Sequence, residues 1–304
     1  MMTTHLKDTA PVCLFVYNRI DTLKNTVASL LENKLAQQTD VYIFSDAARS
    51  ENEKENVRQV RLFISDVKGF KSVTVLLSER NNGLAKSIIN GVSSIIKLKG
   101  KVIVLEDDLV VAPNFLDFMN AALDKYQFNQ KIFSASGYSS PIKFKINCDV
   151  YFSKRASSWG WATWSDRWEK IDWNVSDFGQ FNKDKKLQSR FNKMGSDLTH
   201  MLKKQMAGKI NSWAIRWVYH QFKNDLYSVF PSVSKVVNDG FHSVGTHTSE
   251  NNRTRFSTQL DTSGKGDFDF YEEPFLDPKI IKQFVAPYTI KTRVIYKLKG
   301  LLHF

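Results

Sequence analysis

The chain has 304 residues, 42% hydrophobic and 13% aromatic, enough apolar material for a large buried core and too much for an intrinsically disordered segment. A net charge of +12 points to polyanionic partners such as phosphorylated substrates, anionic headgroups or nucleic acid. Only two cysteines, Cys13 and Cys148, exclude a disulfide framework or a zinc-ligand spacing and fit a reducing compartment.

The first half alternates strand and helix. Val12–Tyr17 is a continuous apolar run, as expected of a strand buried on both faces, and Asp21 suits the start of a helix carrying Leu23, Val27, Leu30 and Leu31. Val41–Phe44 reads as a second strand, followed by a charged helix from Glu51 to Ile64. Val73–Leu77 is a third strand, with Leu84, Ile88, Val92 and Ile95 marking the next helix. Lys101–Leu105 is a fourth strand, after which Pro113 opens a helix bearing Phe115, Met119, Ala122 and Tyr126. This alternation predicts an α/β fold with a doubly wound, mainly parallel sheet, whose ligands bind beyond the carboxyl ends of the strands. Asn18-Arg19, Ser45-Asp46, Glu79–Gly83 and Glu106–Asp108 are the segments at those ends.

The second half differs. It holds a tryptophan-rich stretch from Trp159 to Trp173, helices between Ser176 and Asn224, a β-branched segment from Ser228 to Val237 and a Gly/His loop from Gly240 to His247. One catalytic domain over residues 10–250 is expected, with a C-terminal extension over 251–304. The charge is uneven: Lys183 to Lys223 holds ten basic and two acidic residues, and Ile280 to Phe304 five basic and none acidic. The polar N-terminus has no apolar signal stretch and no run is long enough to span a bilayer, so a cytoplasmic or peripheral protein is expected. The basic end, with Val294, Ile295, Leu298, Leu301, Leu302 and Phe304 among lysines, suits an anionic membrane surface or packing against protein.

Glu106-Asp107-Asp108 directly follows the Val-Ile-Val-Leu strand. Three adjacent carboxylates beside a buried strand need a neutralising partner, and hard oxygen ligands suit Mg2+ or Mn2+. Such an ion can bridge a diphosphate and stabilise it as it leaves.

Residues 104–115, Val-Leu-Glu-Asp-Asp-Leu-Val-Val-Ala-Pro-Asn-Phe, resemble the acidic motif of the N-acetylglucosaminyltransferase I family. The chain over residues 10–250 also resembles bacterial sugar transferases of the glycosyltransferase family 2 type. The resemblance implies a GT-A fold and a nucleotide-sugar donor, UDP-sugar by preference. It implies that Asp108 ligates the metal, that Asp107 contacts the ribose, and that Glu106 holds metal-bound water or the nucleotide. Tyr17, Asn18 and Arg19 would face the nucleobase, with Asp46 at the acid that contacts uracil. Asn82-Gly83-Leu84 resembles the family's Asn-x-Gly-Leu before a helix, with Arg80 or Lys86 as a phosphate cation. Trp159, Gly160 and Trp161 resemble a Gly-Trp loop at the donor sugar and acceptor, where indole faces pack on sugar C–H groups. His247, and more weakly His242, match a late histidine that contacts metal or diphosphate. Trp213-Ala214-Ile215-Arg216 matches a Trp-x-x-Arg helix start, with Trp213 and Arg216 at the acceptor; here no acid precedes it, so no catalytic base is assigned and inversion or retention stays open. The acceptor implied is a surface glycan, free or lipid-linked. Two alternatives stay open: a sugar-phosphate nucleotidyltransferase, although the chain has no glycine-rich basic loop after Val16, and a basic nucleic-acid-binding protein, although the chain shows no recognised motif for it.

Overall fold

A computed structural model describes residues 9–143, 146–240 and 255–301. An eight-stranded sheet in the order β3-β2-β1-β4-β8-β6-β9-β7 forms its centre. Strands β1 (Val12–Val16), β2 (Asp40–Ser45), β3 (Ser72–Leu77) and β4 (Lys101–Glu106) pair in parallel, as the strand–helix alternation requires. The second half of the sheet is mixed. β8 (Trp161–Trp164) runs antiparallel to both β4 and β6 (Ile132–Ser136), while β9 (Tyr227–Pro231) is parallel to β6 and antiparallel to β7 (Val150–Ser153). A separate ribbon joins β5 (Leu109–Val111) to β10 (Val236–Asn238).

Period-two alternation sorts each strand between two cores. Val12, Leu14, Val16, Ile103 and Leu105 face one side, under α1 (Ile20–Leu31), α2 (Lys54–Ser65) and α4 (Phe115–Lys125). Cys13, Phe15, Val102 and Val104 face the other, under α3 (Leu84–Lys99). Both faces of β1 and β4 are therefore dry, which accounts for their unbroken apolar sequences. β3 and β7 are the edge strands, and Leu77 of β3 is 54% exposed.

The helical region α5 (Ser165–Trp168), α6 (Phe178–Lys183), α7 (Lys185–Phe191), α8 (Leu198–Met206) and α9 (Trp213–Lys223) thickens the second core. Trp161, Trp168, Trp213 and Trp217 interlock there, with ring centroids 4.2 Å apart for Trp161 and Trp217 and 5.5 Å for Trp161 and Trp168. Pro113 does not open α4 as expected. It lies in the turn before the helix, where Phe115 N–H donates to Ala112 O, and Asn114 turns its amide to Asp261 and to Lys265 O instead of capping.

The C-terminal segment is built into both cores. Phe268 packs edge-on against Phe118 at 5.3 Å, and the buried Lys235 and Asp261 form an ion pair. On the other face α10 (Pro278–Val285) inserts Ile280 and Phe284, the latter 5.1 Å from Phe230. A last helix, α11 (Ile290–Leu301), follows.

Candidate active site

The strand order places the carboxyl ends of β2, β1 and β4 side by side, with Phe15 level with Glu106 and Val16 level with Ser45. Tyr17–Arg19, Asp46 and Glu106–Asp108 therefore meet at one edge. Asp107, only 3% exposed, accepts from Tyr17 N–H at 3.0 Å and pairs with Arg19. The same guanidinium reaches Asp108 Oδ2 at 3.1 Å. The cation that the acidic cluster demands is thus supplied, in this structure, by Arg19. Burial works against the Arg19 charge, but Asp107 and Asp108 outweigh it and hold the guanidinium above its ordinary value. Burial pushes Asp107 up to about 6 against the pull of Arg19. Loss of hydration, reinforced by Asp108 and Asp107, pushes Glu106 up to about 8. Among the described residues no three His, Cys, Asp or Glu side chains converge as a metal cage.

The β5–β10 ribbon closes the cluster from the other side. Asp239 N–H donates to Asp108 O at 2.7 Å, and the Asp239 carboxylate accepts from Asn25 Nδ2 at 2.8 Å. A Cβ at Gly240 would come within 2.6 Å of Asp108 Oδ2, so a side chain here would push the carboxylate away from the place it holds beside Arg19. Sequence reasoning misses Asp239. The signal that could have found it is the Asn238-Asp239-Gly240 turn triplet directly after a β-branched run. His242 and His247 lie outside the described residues.

Around the β1 end, Tyr17 donates its hydroxyl to Glu53 at 2.7 Å and accepts from Arg49 N–H, while Asn18 donates to the other Glu53 oxygen. Glu53, which no sequence motif marks, ties the loop after β2 to the loop after β1. Asp46 accepts from Ala47 N–H at 3.0 Å, Asn82 N–H at 2.9 Å and Gly83 N–H at 2.8 Å. Its carboxylate thus occupies the start of α3, the place at which the sequence leads one to expect a phosphate. Gly83 is required there for its φ of +73° and not for want of room, since a Cβ at this position would meet nothing within 4 Å. Arg80 and Lys86 are exposed beside it.

Of the tryptophan loop, only part reaches a cavity. β8 pairs Trp161 with Val104, so Trp159 lies toward the Glu106 end of β4, and a Cβ at Gly160, between the two, would lie 3.3 Å from Leu105. Trp159 stacks edge-on with Tyr138 at 4.7 Å and lines a cavity of about 200 Å³ with Arg155, Met201, Phe256 and Tyr288. Arg155 forms a fork with Asp197, two contacts of 2.9 Å, and lies over the Tyr288 ring. Trp161 instead points into the tryptophan core, 1% exposed, because the positive φ of Gly160 turns the chain between the two indoles. Trp213 is buried in the same core. Arg216 bonds to Ser212 O and Trp173 O, apart from the acids, and Ser212 caps α9 through Ile215 N–H.

The model of the glycosyl transferase family 2 matches residues 12–185, more than half of the chain. No curated protein matches the sequence significantly. Among solved structures the chain is similar to a mannosyltransferase from Pyrobaculum calidifontis in complex with GDP-Man and Mn2+, at 13% identity over 54% of this chain and 49% of that one, with a TM-score of 0.33. It is similar to TarS of S. aureus at 13% identity over 54% of this chain and 30% of that one, TM-score 0.34. It is also similar to a UDP-glucose pyrophosphorylase complexed with UDP-glucose, at 13% identity over 76% of this chain and 94% of that one, TM-score 0.39. The chain spans about half of the first and less than a third of the second, and none of these overlaps is close enough to carry an argument about chemistry. The matched residues run from β1 through α6 and include the acidic edge, and by this match the chain belongs to glycosyl transferase family 2, with a GT-A fold.

Proposed function

We propose that the enzyme transfers a hexose or N-acetylhexosamine from a nucleoside-diphosphate sugar, a UDP-sugar by preference, to a hydroxyl of a glycan or lipid-linked glycan in surface-polysaccharide synthesis. The observation that supports this most is the pairing of Asp107 and Asp108 with Arg19 directly after Glu106, at the carboxyl edge of the parallel strands. The donor set is all carboxylate, which suits Mn2+ or Mg2+, and ions of this kind are commonly held by one or two carboxylates plus substrate phosphates rather than by a full protein cage. Asp108, partly exposed at the mouth of the cluster, is the ligand, with His247 as a further candidate. When bound, the ion supplies charge stabilisation for the departing nucleoside diphosphate.

The chain's own residues then divide the work. Asp107, locked by Tyr17 N–H, presents its remaining oxygen to the ribose, and Glu106 holds water or the nucleotide. Arg19 turns from the acids toward the diphosphate, freeing Asp108 for the ion and the Asp107 oxygen it holds for the ribose. Tyr17 and Asn18, fixed by Glu53, frame the nucleobase side, and Arg80 and Lys86 lie beside it as phosphate cations. Asp46 acts as a positioning residue, because its oxygens are engaged by backbone N–H groups of both flanking loops. Trp159 and the aromatic cavity take the acceptor. Among the described residues no helix is long and apolar enough to cross a membrane, and a peripheral site at a membrane surface is the location proposed.

A panel of nucleotide sugars incubated with the enzyme, with Mn2+ or with EDTA, tests the reading. It predicts release of free nucleoside diphosphate from one donor in Mn2+ alone. Release of inorganic pyrophosphate from a nucleoside triphosphate and a sugar 1-phosphate, with no nucleoside diphosphate from any nucleotide sugar, would instead make the protein a nucleotidyltransferase.

A further inference from the structure

Helix α11 carries an apolar stripe that the other described residues leave exposed. Ile290, Val294 and Leu298, spaced i, i+4 and i+8, are 68%, 49% and 53% exposed, and Ile295 adds a further exposed side chain. At 3.6 residues per turn Lys291 and Lys297 fall on either side of this stripe, and both are exposed. No acidic residue follows Asp277 in the sequence. A second copy of the chain is a poor cover, because two such stripes would bring lysines against lysines in a protein of net charge +12. An apolar stripe between cations instead matches an anionic bilayer, with side chains entering the acyl boundary and ammonium groups at the headgroups.

The helix is also tied to the acceptor cavity. Tyr288, two residues before α11, lines that cavity and lies under Arg155. Ser196 N–H and Oγ both donate to Tyr288 O, and Arg293 of the helix donates to Ser196 Oγ at 3.1 Å. A surface that holds α11 therefore holds the cavity wall at a fixed distance from it.

We infer that α11 seats the enzyme on an anionic lipid bilayer and so brings the aromatic cavity within reach of acceptors borne on that bilayer. The membrane seat rests on the helix, whereas the acceptor part rests on the proposed sugar transfer, and the two fail separately.

Co-sedimentation with vesicles of phosphatidylcholine alone, and of equal parts phosphatidylcholine and phosphatidylglycerol, tests the seat. The wild type is expected to sediment with the mixed vesicles at low salt and to stay in solution with the neutral ones. Lys291→Ala/Lys297→Ala is expected to weaken partitioning about thirtyfold, and Val294→Asp/Leu298→Asp to abolish it. Donor hydrolysis is expected to be equal in all three proteins, since these positions neither line the cavity nor enter the contacts of Arg19, Asp107 and Asp108. No sedimentation of the wild type with mixed vesicles at low salt would overturn the inference. So would a Val294→Asp/Leu298→Asp variant that partitions normally, or light scattering in which that substitution does no more than split a dimer. Normal vesicle binding without nucleoside diphosphate release from any donor would leave the seat standing and sink the transferase reading.

Discussion

Asp46→Asn separates two roles that one aspartate could play at the end of β2. In the structure its Oδ1 receives Ala47 N–H and Asn82 N–H, and its Oδ2 receives Gly83 N–H at 2.8 Å. The group is 8% exposed. An asparagine keeps one oxygen but turns an NH2 toward at least one of these donors, whichever way the amide is oriented. A buried donor left unpaired costs about 1–3 kcal/mol, and losing the negative charge at the start of α3 adds about 0.3–1 kcal/mol. The expected loss is therefore about 1–4 kcal/mol, within the reserve of an ordinary domain. Urea unfolding followed by tryptophan fluorescence reads it as a lower midpoint with an unchanged slope. Donor affinity should fall as a consequence of the loosened loops. A variant as stable as the wild type that nevertheless binds donor more weakly would refute this account and make Asp46 a direct nucleobase contact.

Arg19→Met should lower the stability of the metal-free protein by about 1–3 kcal/mol, since it strands the buried Asp107 and leaves Asp108 unpaired. Mn2+ should then raise its melting temperature more than that of the wild type; equal Mn2+ shifts in thermal melts would argue that Arg19 and the ion do not share a place. Glu106 gives a pH dependence of defined sign. Its folded value of about 8 stands above the ordinary carboxyl value of about 4.3, so its contribution to stability is full below the ordinary value and is lost as pH rises toward about 8. Glu106→Gln, which mimics the protonated form, should flatten that part of the decline in urea titrations run in EDTA between about pH 5 and 8. An unchanged slope in the variant would show that Glu106 is already ionised.

The parallel half of the fold is legible in the sequence because its strands are apolar runs, β1 and β4 being buried on both faces, and each helix between them repeats its apolar residues at helical spacing. The acidic cluster is legible for the same reason, being charge placed where β4 ends. What it pairs with is not. Arg19 reaches Asp107 across nearly ninety positions of sequence, and nothing local marks that distance. Asp46 reads as a ligand contact in sequence, although an aspartate between a strand and a loop also caps, and only the folded arrangement brings Asn82 and Gly83 to it. Trp159 and Trp161 look equivalent around Gly160. A regular strand would put two residues at this spacing on one face, but the positive φ of Gly160 turns the chain there, so Trp159 reaches the cavity and Trp161 the core. Strands β6, β7 and β8 are not legible, because Ser134, Ser136, Ser153 and Thr163 break the apolar run that marks a strand such as β1.

The central claim is that the edge at Asp108 binds a nucleotide sugar through a divalent cation. Calorimetric titration of the donor selected by the panel into wild type and Asp108→Asn, each with Mn2+ and with EDTA, tests it most directly. The account predicts binding to the wild type in Mn2+ alone, none to Asp108→Asn, and a folded variant by circular dichroism. Equal donor affinity in the variant, or in EDTA, would contradict it.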